Sequence, residues 1–353
     1  MPLRKISRGS PEFVNIINRV AELSNIKNID YEILFGCEEV DCYIGGLYKV
    51  RLNGYRDGQK IRMNYIIKWH NEAKRRNVLR ESYKREYYFY QVIVPKLLEV
   101  EKTHNLIEGL KIKFPNCVFA SIEQDKECIV LSNPQFEGFL FHDRLNKLDL
   151  DHASLVMKNL AKLHGLSFVL EKSQPEKFEE VKRLCWTDVQ YSNSNEISNT
   201  MASFFNASVN VVKDDIARKK LQDCEADIPL ILNKCAMPNL PKYLTVCHGD
   251  CWHNNVIFRY QNNKPFDVIF VDYQLTRYAS PVTDIVYYLY MCADPQFLSN
   301  HYDRMITLYY RTLSAVLRQC GMDHKEIYPD HIFRQHLKDF AVFGLIEALV
   351  SMK

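Results

Sequence analysis

The hydrophobic and polar positions of this chain follow two different patterns, with the change near residue 134. Before that point, short apolar runs alternate with polar turns, which is typical of β-strands. The predicted strands are 31–35, 46–52, 64–69, 116–122 and 127–132. A helix is predicted from about Glu72 to Val94, and Pro95 is expected to close it, with a short extension over 97–98. Asn53-Gly54 and Asp57-Gly58 are the turn signals in this region.

From Asn133-Pro134 onward, apolar residues recur mainly at helical spacing. Positions 155, 156, 160, 163 and 166 form one stripe along a helix predicted over 151–170, with an aspartate as its N-terminal cap. Three short strand-like runs interrupt this pattern at 243–247, 255–260 and 267–271, and the helical pattern resumes at Asp284. These patterns predict an α+β protein with a β-rich lobe over 1–134 and a mainly helical lobe over 135–353.

Composition and charge narrow the class of protein without indicating a function. Of the 353 residues, 47% are hydrophobic and 25% are charged, as in an ordinary folded protein. The formal net charge of +3 gives no support to nucleic-acid binding. The apolar stretches are too short to span a bilayer and the N-terminus lacks a signal-peptide pattern, so we predict a cytoplasmic protein with no membrane span. Eleven cysteines, an odd number, favour buried reduced thiols over a disulfide scaffold.

The richest group of polar residues lies in the loop between the first two of the three short strands. His248, Asp250 and Asn255 are spaced there as H-x-D-x4-N, a pattern that is weak on its own. Asp272 follows the third strand, and a hairpin between the second and third strands would bring it beside Asn255. Asp250, Asn255 and Asp272 then supply hard oxygen ligands, which suit Mg²⁺ bound together with substrate phosphates.

A second, independent element lies upstream, on the helix predicted over 72–94. The positions that share its apolar face are Leu79, Tyr83, Glu86, Tyr90, Ile93 and Leu97. A carboxylate on such a face is costly without a cationic partner, and Lys68, at the end of the preceding strand, is the natural partner of Glu86. A strand lysine paired with a helix glutamate, ahead of an aspartate–asparagine loop and a further aspartate, is the phosphoryl-transfer arrangement of the protein-kinase architecture.

With these residues in this order, the chain resembles the ecdysteroid kinase-like family, a branch of the choline kinase and aminoglycoside phosphotransferase group. The segments that carry the resemblance are Lys68, 83–90 with Pro95, 138–148 with 160–164, 248–258, 271–274 and 280–284. The resemblance implies a bilobed protein-kinase-like fold. It also implies transfer of the γ-phosphate of ATP to a hydroxyl group of a small molecule, with ecdysteroids as the best-known acceptors. Family chains tend to continue beyond the position of Lys353, which leaves room for a missing C-terminal helical segment.

The resemblance further implies roles for the residues of the polar loop and its neighbours. Asp250 would be the catalytic base or the carboxylate that orients the alcohol, and His248 would brace its loop. Asn255 and Asp272 would hold Mg²⁺. Asp284 has two interpretations: the N-cap of the helix that follows it or, by resemblance, the carboxylate that braces the catalytic loop.

The other implied roles concern the nucleotide. Lys68 would contact the α- and β-phosphates of ATP and would be oriented by Glu86. Gly45-Gly46 lies where the phosphate-covering loop belongs. The hinge after the strand at 127–131 would meet adenine near Ser132-Asn133-Pro134, where Pro134 has no N–H group to offer the ring.

Other interpretations stay open at this point. A choline- or ethanolamine-like kinase would use the same catalytic residues, and a catalytically silent protein could keep the fold as a small-molecule binder. A protein kinase is less favoured because the chain lacks the His-Arg-Asp and Asp-Phe-Gly forms. A zinc cluster over 247–253 is disfavoured because its two cysteines and two histidines fit no common ligand spacing. The tyrosines at 287, 288 and 290 are expected to be core residues.

Overall fold

The computed structural model describes residues 5–6, 10–34, 46–70, 72–143, 146–185, 195–238 and 240–351. The chain forms two compact units, one of residues 1–95 and 114–140 and the other of residues 96–113 and 141–353. The strands are β1 (Lys5–Ile6), β2 (Lys27–Leu34), β3 (Leu47–Arg56), β4 (Gln59–Lys68), β5 (Cys117–Ser121), β6 (Cys128–Ser132), β7 (Phe139–Phe141), β8 (Thr245–Cys247), β9 (Val256–Gln261), β10 (Lys264–Phe270) and β11 (Arg277–Ala279). The helices are α1 (Pro11–Leu23), α2 (Ala73–Tyr88), α3 (Val94–Thr103), α4 (Leu150–Ser173), α5 (Pro175–Cys185), α6 (Asn195–Asn210), α7 (Asp215–Asp223), α8 (Ile228–Ala236), α9 (Val282–Cys292), α10 (Pro295–Gln319), α11 (His324–Ile327) and α12 (Asp330–Ser351).

A six-stranded antiparallel sheet forms the centre of the first unit, with the strand order β1-β2-β3-β4-β6-β5. Successive side chains of a strand point to opposite faces, and one face of this sheet is covered by α1. Phe13 and Ile17 of α1 therefore share a core with Leu52 and Ile67. The end of β4, where Lys68 lies, is held between β3 and β6.

The hairpin between β3 and β4 turns at Asp57-Gly58. Both residues have positive φ angles, 52° and 77°, as a type I′ turn requires. The other predicted turn, Asn53-Gly54, is wrong, because it lies inside β3 opposite Arg62 and Ile61. Glycine serves there for close packing instead, since a Cβ on Gly54 would lie 2.4 Å from Cγ2 of Ile26.

The helix predicted from Glu72 to Val94 is present, but Pro95 does not close it. After α2 the backbone passes through a π-helical segment, Phe89–Ile93, and continues as α3 to Thr103. The N–H of Val94 bonds to the carbonyl of Phe89, five residues back, so Pro95 falls in the first turn of α3. Proline is tolerated in a first turn because the missing N–H is not needed there.

The second unit is mainly helical, and α10 packs along α4 while α12 packs along α9. Asp149 caps α4 by accepting hydrogen bonds from the N–H groups of Asp151 and His152. The three predicted strands are present as β8, β9 and β10; β8 pairs with β11, and β9 and β10 form a hairpin that turns at Asn262-Asn263. The predicted α+β class is confirmed. None of the helices in the described ranges is both long and apolar enough to cross a membrane.

Candidate active site

The loop between β8 and β9 is held at its start by a glycine. Gly249 has a φ of 88°, and a Cβ on it would lie 1.9 Å from the carbonyl oxygen of Leu275. Only glycine suits both this backbone conformation and this close approach. The carbonyl of Gly249 accepts a hydrogen bond of 3.0 Å from the buried guanidinium of Arg277. The beginning of the loop is therefore fixed against the segment 275–277.

A fully buried carboxylate, Asp284 in the first turn of α9, holds the same part of the loop. Its two oxygens accept the N–H groups of His248 and Gly249 at 2.6 and 3.0 Å, and Nε2 of His164 lies 3.1 Å from one of them. Burial alone would raise the pKa of Asp284, but the hydrogen bond and charge of His164, together with the charge of Arg277, lower it to about 2. The interpretation of Asp284 as a brace is confirmed; the helix-cap interpretation is wrong, because Asp284 lies inside the helix.

His248 joins the loop to the end of β10. Its Nε2 lies 3.1 Å from the carbonyl oxygen of Val271, the residue before Asp272, and its Nδ1 accepts the N–H of Asp250 at 3.2 Å. A neutral ring with its proton on Nε2 satisfies both contacts. Burial lowers the pKa of His248 to about 4, which agrees with a neutral ring at physiological pH. His248 thus connects the backbone of Asp250 with the segment that carries Asp272.

The carboxylate of Asp250 accepts hydrogen bonds at both of its oxygens. Oδ1 accepts from the hydroxyl of Tyr287 at 2.8 Å, and Oδ2 accepts from Nδ2 of Asn255 at 2.8 Å. Nδ2 of Asn255 also donates to the carbonyl oxygen of Asp250 at 2.8 Å. Burial and the nearby negative charge of Asp272 raise the pKa of Asp250 to about 7.

Asp272 and Asn255 are neighbours, as the predicted hairpin requires. The N–H of Val271 donates to the carbonyl of Asn255 at 3.0 Å, so the end of β10 lies beside the start of β9. Asp272 has a φ of 68°, in the left-handed region that non-glycine residues seldom occupy and that is often found at functional sites.

The donor set around Asp272 fits a hard divalent cation. Because Nδ2 of Asn255 is used on Asp250, its Oδ1 is the amide atom that can bind a metal ion. A carboxylate, an amide oxygen and a second carboxylate nearby are the oxygen donors that Mg²⁺ takes, usually together with phosphates and water. A cation there would also offset the repulsion between Asp272 and Asp250 that the raised pKa of Asp250 reflects.

In the first unit, Lys68 and Glu86 form the predicted ion pair. Nζ of Lys68 lies 2.9 Å from Oε1 and 2.7 Å from Oε2 of Glu86, whose side chain is 3% exposed. Arg80, on the same helix as Glu86, pairs instead with Glu127 and donates to the carbonyl of Ile122 at 3.0 Å. The buried carboxylate of Glu86 is therefore matched by the strand lysine, and Arg80 neutralises a different buried carboxylate.

Of the two glycines predicted at the phosphate-covering loop, Gly45 lies outside the described residues. Gly46 has a φ of 88°, and a Cβ on it would lie 2.3 Å from the carbonyl oxygen of Trp69. Its own carbonyl accepts the N–H of Trp69 at 2.8 Å. A side chain at position 46 would therefore clash with the backbone of Trp69. Gly46 lies one residue before β3, next to the end of the strand that carries Lys68.

The predicted hinge residues use their N–H groups within the protein. The N–H of Ser132 donates to the carbonyl of Asn116 at 2.8 Å, and that of Asn133 donates to the carbonyl of Asn64 at 2.9 Å. Oδ1 of Asn133 accepts the N–H of Gln135 at 3.0 Å across the turn that contains Pro134. In this conformation neither the Ser132 nor the Asn133 N–H group is open to an adenine ring.

The described site residues fall into two groups, one in each unit. The first unit holds Gly46, Lys68, Glu86, Ser132 and Asn133; the second holds His248, Asp250, Asn255 and Asp272. Within the first group, a side-chain contact joins Lys68 to Glu86. Within the second group, hydrogen bonds connect all members through the loop and the end of β10.

Sequence reasoning missed the support that two residues give to the loop. Tyr287 is a core residue, as predicted, but its hydroxyl also bonds to Asp250. Arg277 was not singled out, although its guanidinium holds Gly249 and stacks 4.9 Å from the ring of Phe343. The available signal was weak, since a buried phenol usually has a hydrogen-bond partner but the sequence does not say which.

The disfavoured zinc interpretation finds no support in the contacts of Cys247. Within the described ranges, one cluster of potential metal ligands is found, and it consists of His164, Cys247 and Asp284. Asp284 accepts the loop N–H groups, and both ring nitrogens of His164 are used, on Asp284 and on the hydroxyl of Tyr309. The thiol of Cys247 lies 3.6 Å from the carbonyl oxygen of Ala279, and burial raises its pKa. The polar atoms of His164, Cys247 and Asp284 are therefore bonded to other groups of the protein core.

A comparison with models of protein families gives a match over most of the chain. The family model described as "Ecdysteroid kinase-like family" matches residues 39–322, well over half of the chain. No curated protein matches the chain.

Several solved structures are similar over nearly the whole chain, at low identity. A choline kinase from Cryptosporidium parvum Iowa II is 16% identical, with 96% of this chain and 87% of that chain covered and a TM-score of 0.44. A Plasmodium vivax ethanolamine kinase is 13% identical, with coverages of 96% and 88% and a TM-score of 0.43. A putative aminoglycoside phosphotransferase from Ralstonia eutropha jmp134 is 10% identical, with coverages of 97% and 97% and a TM-score of 0.45. Likenesses of this degree assign no function.

Proposed function

Because the chain belongs to the ecdysteroid kinase-like family, we propose that it transfers the γ-phosphate of ATP to a hydroxyl group of a small lipophilic molecule such as an ecdysteroid. The observation that carries the proposal is the placement of Asp250, which is hydrogen-bonded to Asn255 in a loop fixed by Asp284 and lies near the charge of Asp272. These are the residue types, in the order along the chain, that phosphoryl transfer requires.

Asp250 orients the acceptor hydroxyl and takes its proton as the new P–O bond forms, while the bond between the γ-phosphorus and the bridging oxygen breaks and ADP leaves. Burial, which a bound cation leaves in place, raises the pKa of Asp250 and makes its carboxylate a better proton acceptor than that of an exposed aspartate. The hydrogen bonds from Tyr287 and Asn255 keep the carboxylate in one orientation. Catalysis of this kind depends mainly on position and charge.

Asn255 and Asp272 would hold Mg²⁺ through the amide Oδ1 and a carboxylate oxygen. When bound, Mg²⁺ supplies positive charge to the phosphate oxygens of ATP. Lys68 supplies a further positive charge for the α- and β-phosphates, and its ion pair with Glu86 fixes the ammonium at the end of β4. Gly46 lets the backbone before β3 pass close to Trp69.

The experiment that tests the proposal has two stages. Binding of ATP with Mg²⁺ is measured first, by calorimetry on the whole chain. ATP consumption is then followed with a panel of ecdysteroids and sterols, choline and ethanolamine, and phenolic or glycosidic compounds. Asp250→Asn is the matched variant, because it keeps the size of the side chain and removes the base.

The expected result is ATP binding by both proteins and a loss of turnover of about a hundredfold or more in Asp250→Asn. A wild-type protein that does not bind ATP with Mg²⁺ would end the kinase proposal and leave the silent binding protein. Turnover with choline or ethanolamine and not with an ecdysteroid would show that the acceptor belongs to that class. Equal turnover by the wild type and Asp250→Asn would show that Asp250 is not the base.

A further inference from the structure

Tyr287 contacts the loop from the same helix as Asp284. The two residues are three positions apart on α9 and therefore lie on one face of the helix. Asp284 holds the loop backbone through the N–H groups of His248 and Gly249. Tyr287 holds a side chain of the loop, since its hydroxyl lies 2.8 Å from Oδ1 of Asp250. One face of α9 thus fixes both the path of the loop and the carboxylate that it presents.

The hydrogen bond from Tyr287 has a specific geometric effect on Asp250. The terminal torsion of an aspartate side chain is broad, so a carboxylate bonded at one oxygen can still rotate. Asn255 bonds Oδ2 and Tyr287 bonds Oδ1, and the two donors come from different elements of the fold. With both oxygens bonded, the plane of the carboxylate is set.

Burial makes this hydrogen bond more important than it would be at the surface. Tyr287 is buried, at 6% exposure, and Asp250 is only partly exposed. A hydrogen bond to a carboxylate in such surroundings is among the stronger kinds, and removal of the Tyr287 hydroxyl takes away the donor to Oδ1.

We propose that Tyr287 is a positioning residue for phosphoryl transfer, acting by fixing the orientation of the Asp250 carboxylate. The proposal rests on the proposed function, in which Asp250 is the base. Tyr287 needs no contact with the nucleotide or the acceptor for this role. Loss of the Tyr287 hydroxyl should therefore lower turnover with little change in substrate affinity.

The test compares Tyr287→Phe with the wild type and with Tyr290→Phe. The phenylalanine keeps the ring and removes the hydroxyl. Tyr290 is on the same helix and makes no hydrogen bond within the described ranges, so it controls for the loss of a hydroxyl in α9. We expect kcat to fall about ten- to a hundredfold in Tyr287→Phe, with KM for ATP and for the acceptor within about twofold of the wild type. Tyr290→Phe should keep wild-type kcat.

A double-variant cycle separates positioning from general damage. If Tyr287 acts through Asp250, adding Tyr287→Phe to Asp250→Asn causes no further loss of turnover, whereas independent effects would add. A 4-aminophenylalanine at position 287 keeps a donor at the same place and should restore most of the lost kcat. This variant also covers the case in which Tyr287→Phe folds poorly.

The outcomes separate this proposal from the proposed function. An active wild type with unchanged kcat in Tyr287→Phe overturns the positioning role alone. Additive losses in the cycle, or a 4-aminophenylalanine variant as slow as the phenylalanine variant, also overturn it. A wild type that turns over no ATP with any acceptor overturns the proposed function, and the positioning role with it.

Discussion

The ammonium of Lys68 lies 2.9 and 2.7 Å from the two carboxylate oxygens of Glu86, whose side chain is 3% exposed. A carboxylate buried to this extent depends on its partner, because removal of one member of a buried pair leaves an uncompensated charge. The pair links the end of β4 to α2, so it contributes to the stability of the first unit as well as to its electrostatics.

The first prediction concerns this pair. Lys68→Met should lower the free energy of unfolding by about 2–3 kcal/mol, because the buried carboxylate of Glu86 loses the ammonium that is bonded to both of its oxygens. Lys84→Met is the matched control, since Lys84 pairs with Glu81 on an exposed face of the same helix and should cost about 0.5 kcal/mol or less. Urea unfolding of the two variants checks the prediction. Equal losses of unfolding free energy in the two variants would show that the Lys68–Glu86 pair stabilises the protein no more than an exposed pair does.

The second prediction concerns the start of the loop at Gly249. Gly249→Ala places a Cβ 1.9 Å from the carbonyl oxygen of Leu275 and should destabilise the protein by about 3 kcal/mol or more. Gly321 also has a positive φ, 75°, but a Cβ there meets nothing within 4 Å, so Gly321→Ala should cost only about 1 kcal/mol. Thermal unfolding ranks the two variants. A Gly321→Ala protein as unstable as Gly249→Ala would show that backbone conformation, not the close approach, sets the cost.

The third prediction concerns pH and His336. Its Nδ1 lies 2.9 Å from the hydroxyl of Ser280 and 3.0 Å from that of Tyr328, and burial lowers its pKa to about 4. An unfolded histidine has a pKa of about 6.5, so below that pH the unfolded state binds the extra proton. The contribution of His336 to stability is therefore complete above pH ~6.5 and is lost as the pH falls toward 4, by roughly 3 kcal/mol in total.

Unfolding in urea at a series of pH values between 7 and 5 measures this effect. Relative to its value at pH 7, the free energy of unfolding of His336→Asn should lie above that of the wild type at each lower pH. Buried His248, with its pKa also lowered to about 4, and Asp250, whose raised pKa acts in the opposite direction, contribute to the slope of both proteins alike. His331→Asn, at an exposed position of the same helix, should leave the wild-type slope in place. An unchanged slope in His336→Asn would contradict the prediction.

The fourth prediction concerns the cation. Asp272→Asn removes one charged oxygen donor, so the Mg²⁺ concentration for half-maximal ATP binding should rise about tenfold or more. Asp267→Asn is the control, because Asp267 lies on the same hairpin and pairs with Lys113 and Arg259. This variant should leave the Mg²⁺ requirement unchanged. Calorimetric titration of ATP at several Mg²⁺ concentrations gives both values. A similar shift in the two variants would indicate a general effect of charge on the hairpin.

The sequence was sufficient for those parts of the fold that depend on local periodicity. The spacing of Glu86 on an apolar face, with Lys68 at the end of the preceding strand, predicted an ion pair across eighteen residues because helix geometry leaves few alternatives. The hairpin that brings Asp272 beside Asn255 followed in the same way from two short strands and a turn-forming sequence between them.

What could not be predicted depends on contacts between distant residues. Asn53-Gly54 and Asp57-Gly58 carry the same turn signal, but the register of β3 with β4 places Gly54 inside the strand, where it packs closely against Ile26. A proline usually ends a helix, because it has no N–H group to donate. Here the π-helical segment before Pro95 places this proline in the first turn of α3, where that N–H group is not needed. Tyr287 lies in an apolar helix without any local sign of its role, because its hydrogen bond depends on how α9 packs against the loop.

The bonds of Asp284 to the N–H groups of His248 and Gly249 involve protein groups alone. His164 and Arg277 lower the pKa of this fully buried carboxylate to about 2, so it is ionised when it accepts these bonds at physiological pH. The loop therefore loses its conformational entropy when the chain folds, before a ligand reaches Asp250. A ligand that binds there does not have to order the loop, so more of its contact free energy appears as affinity.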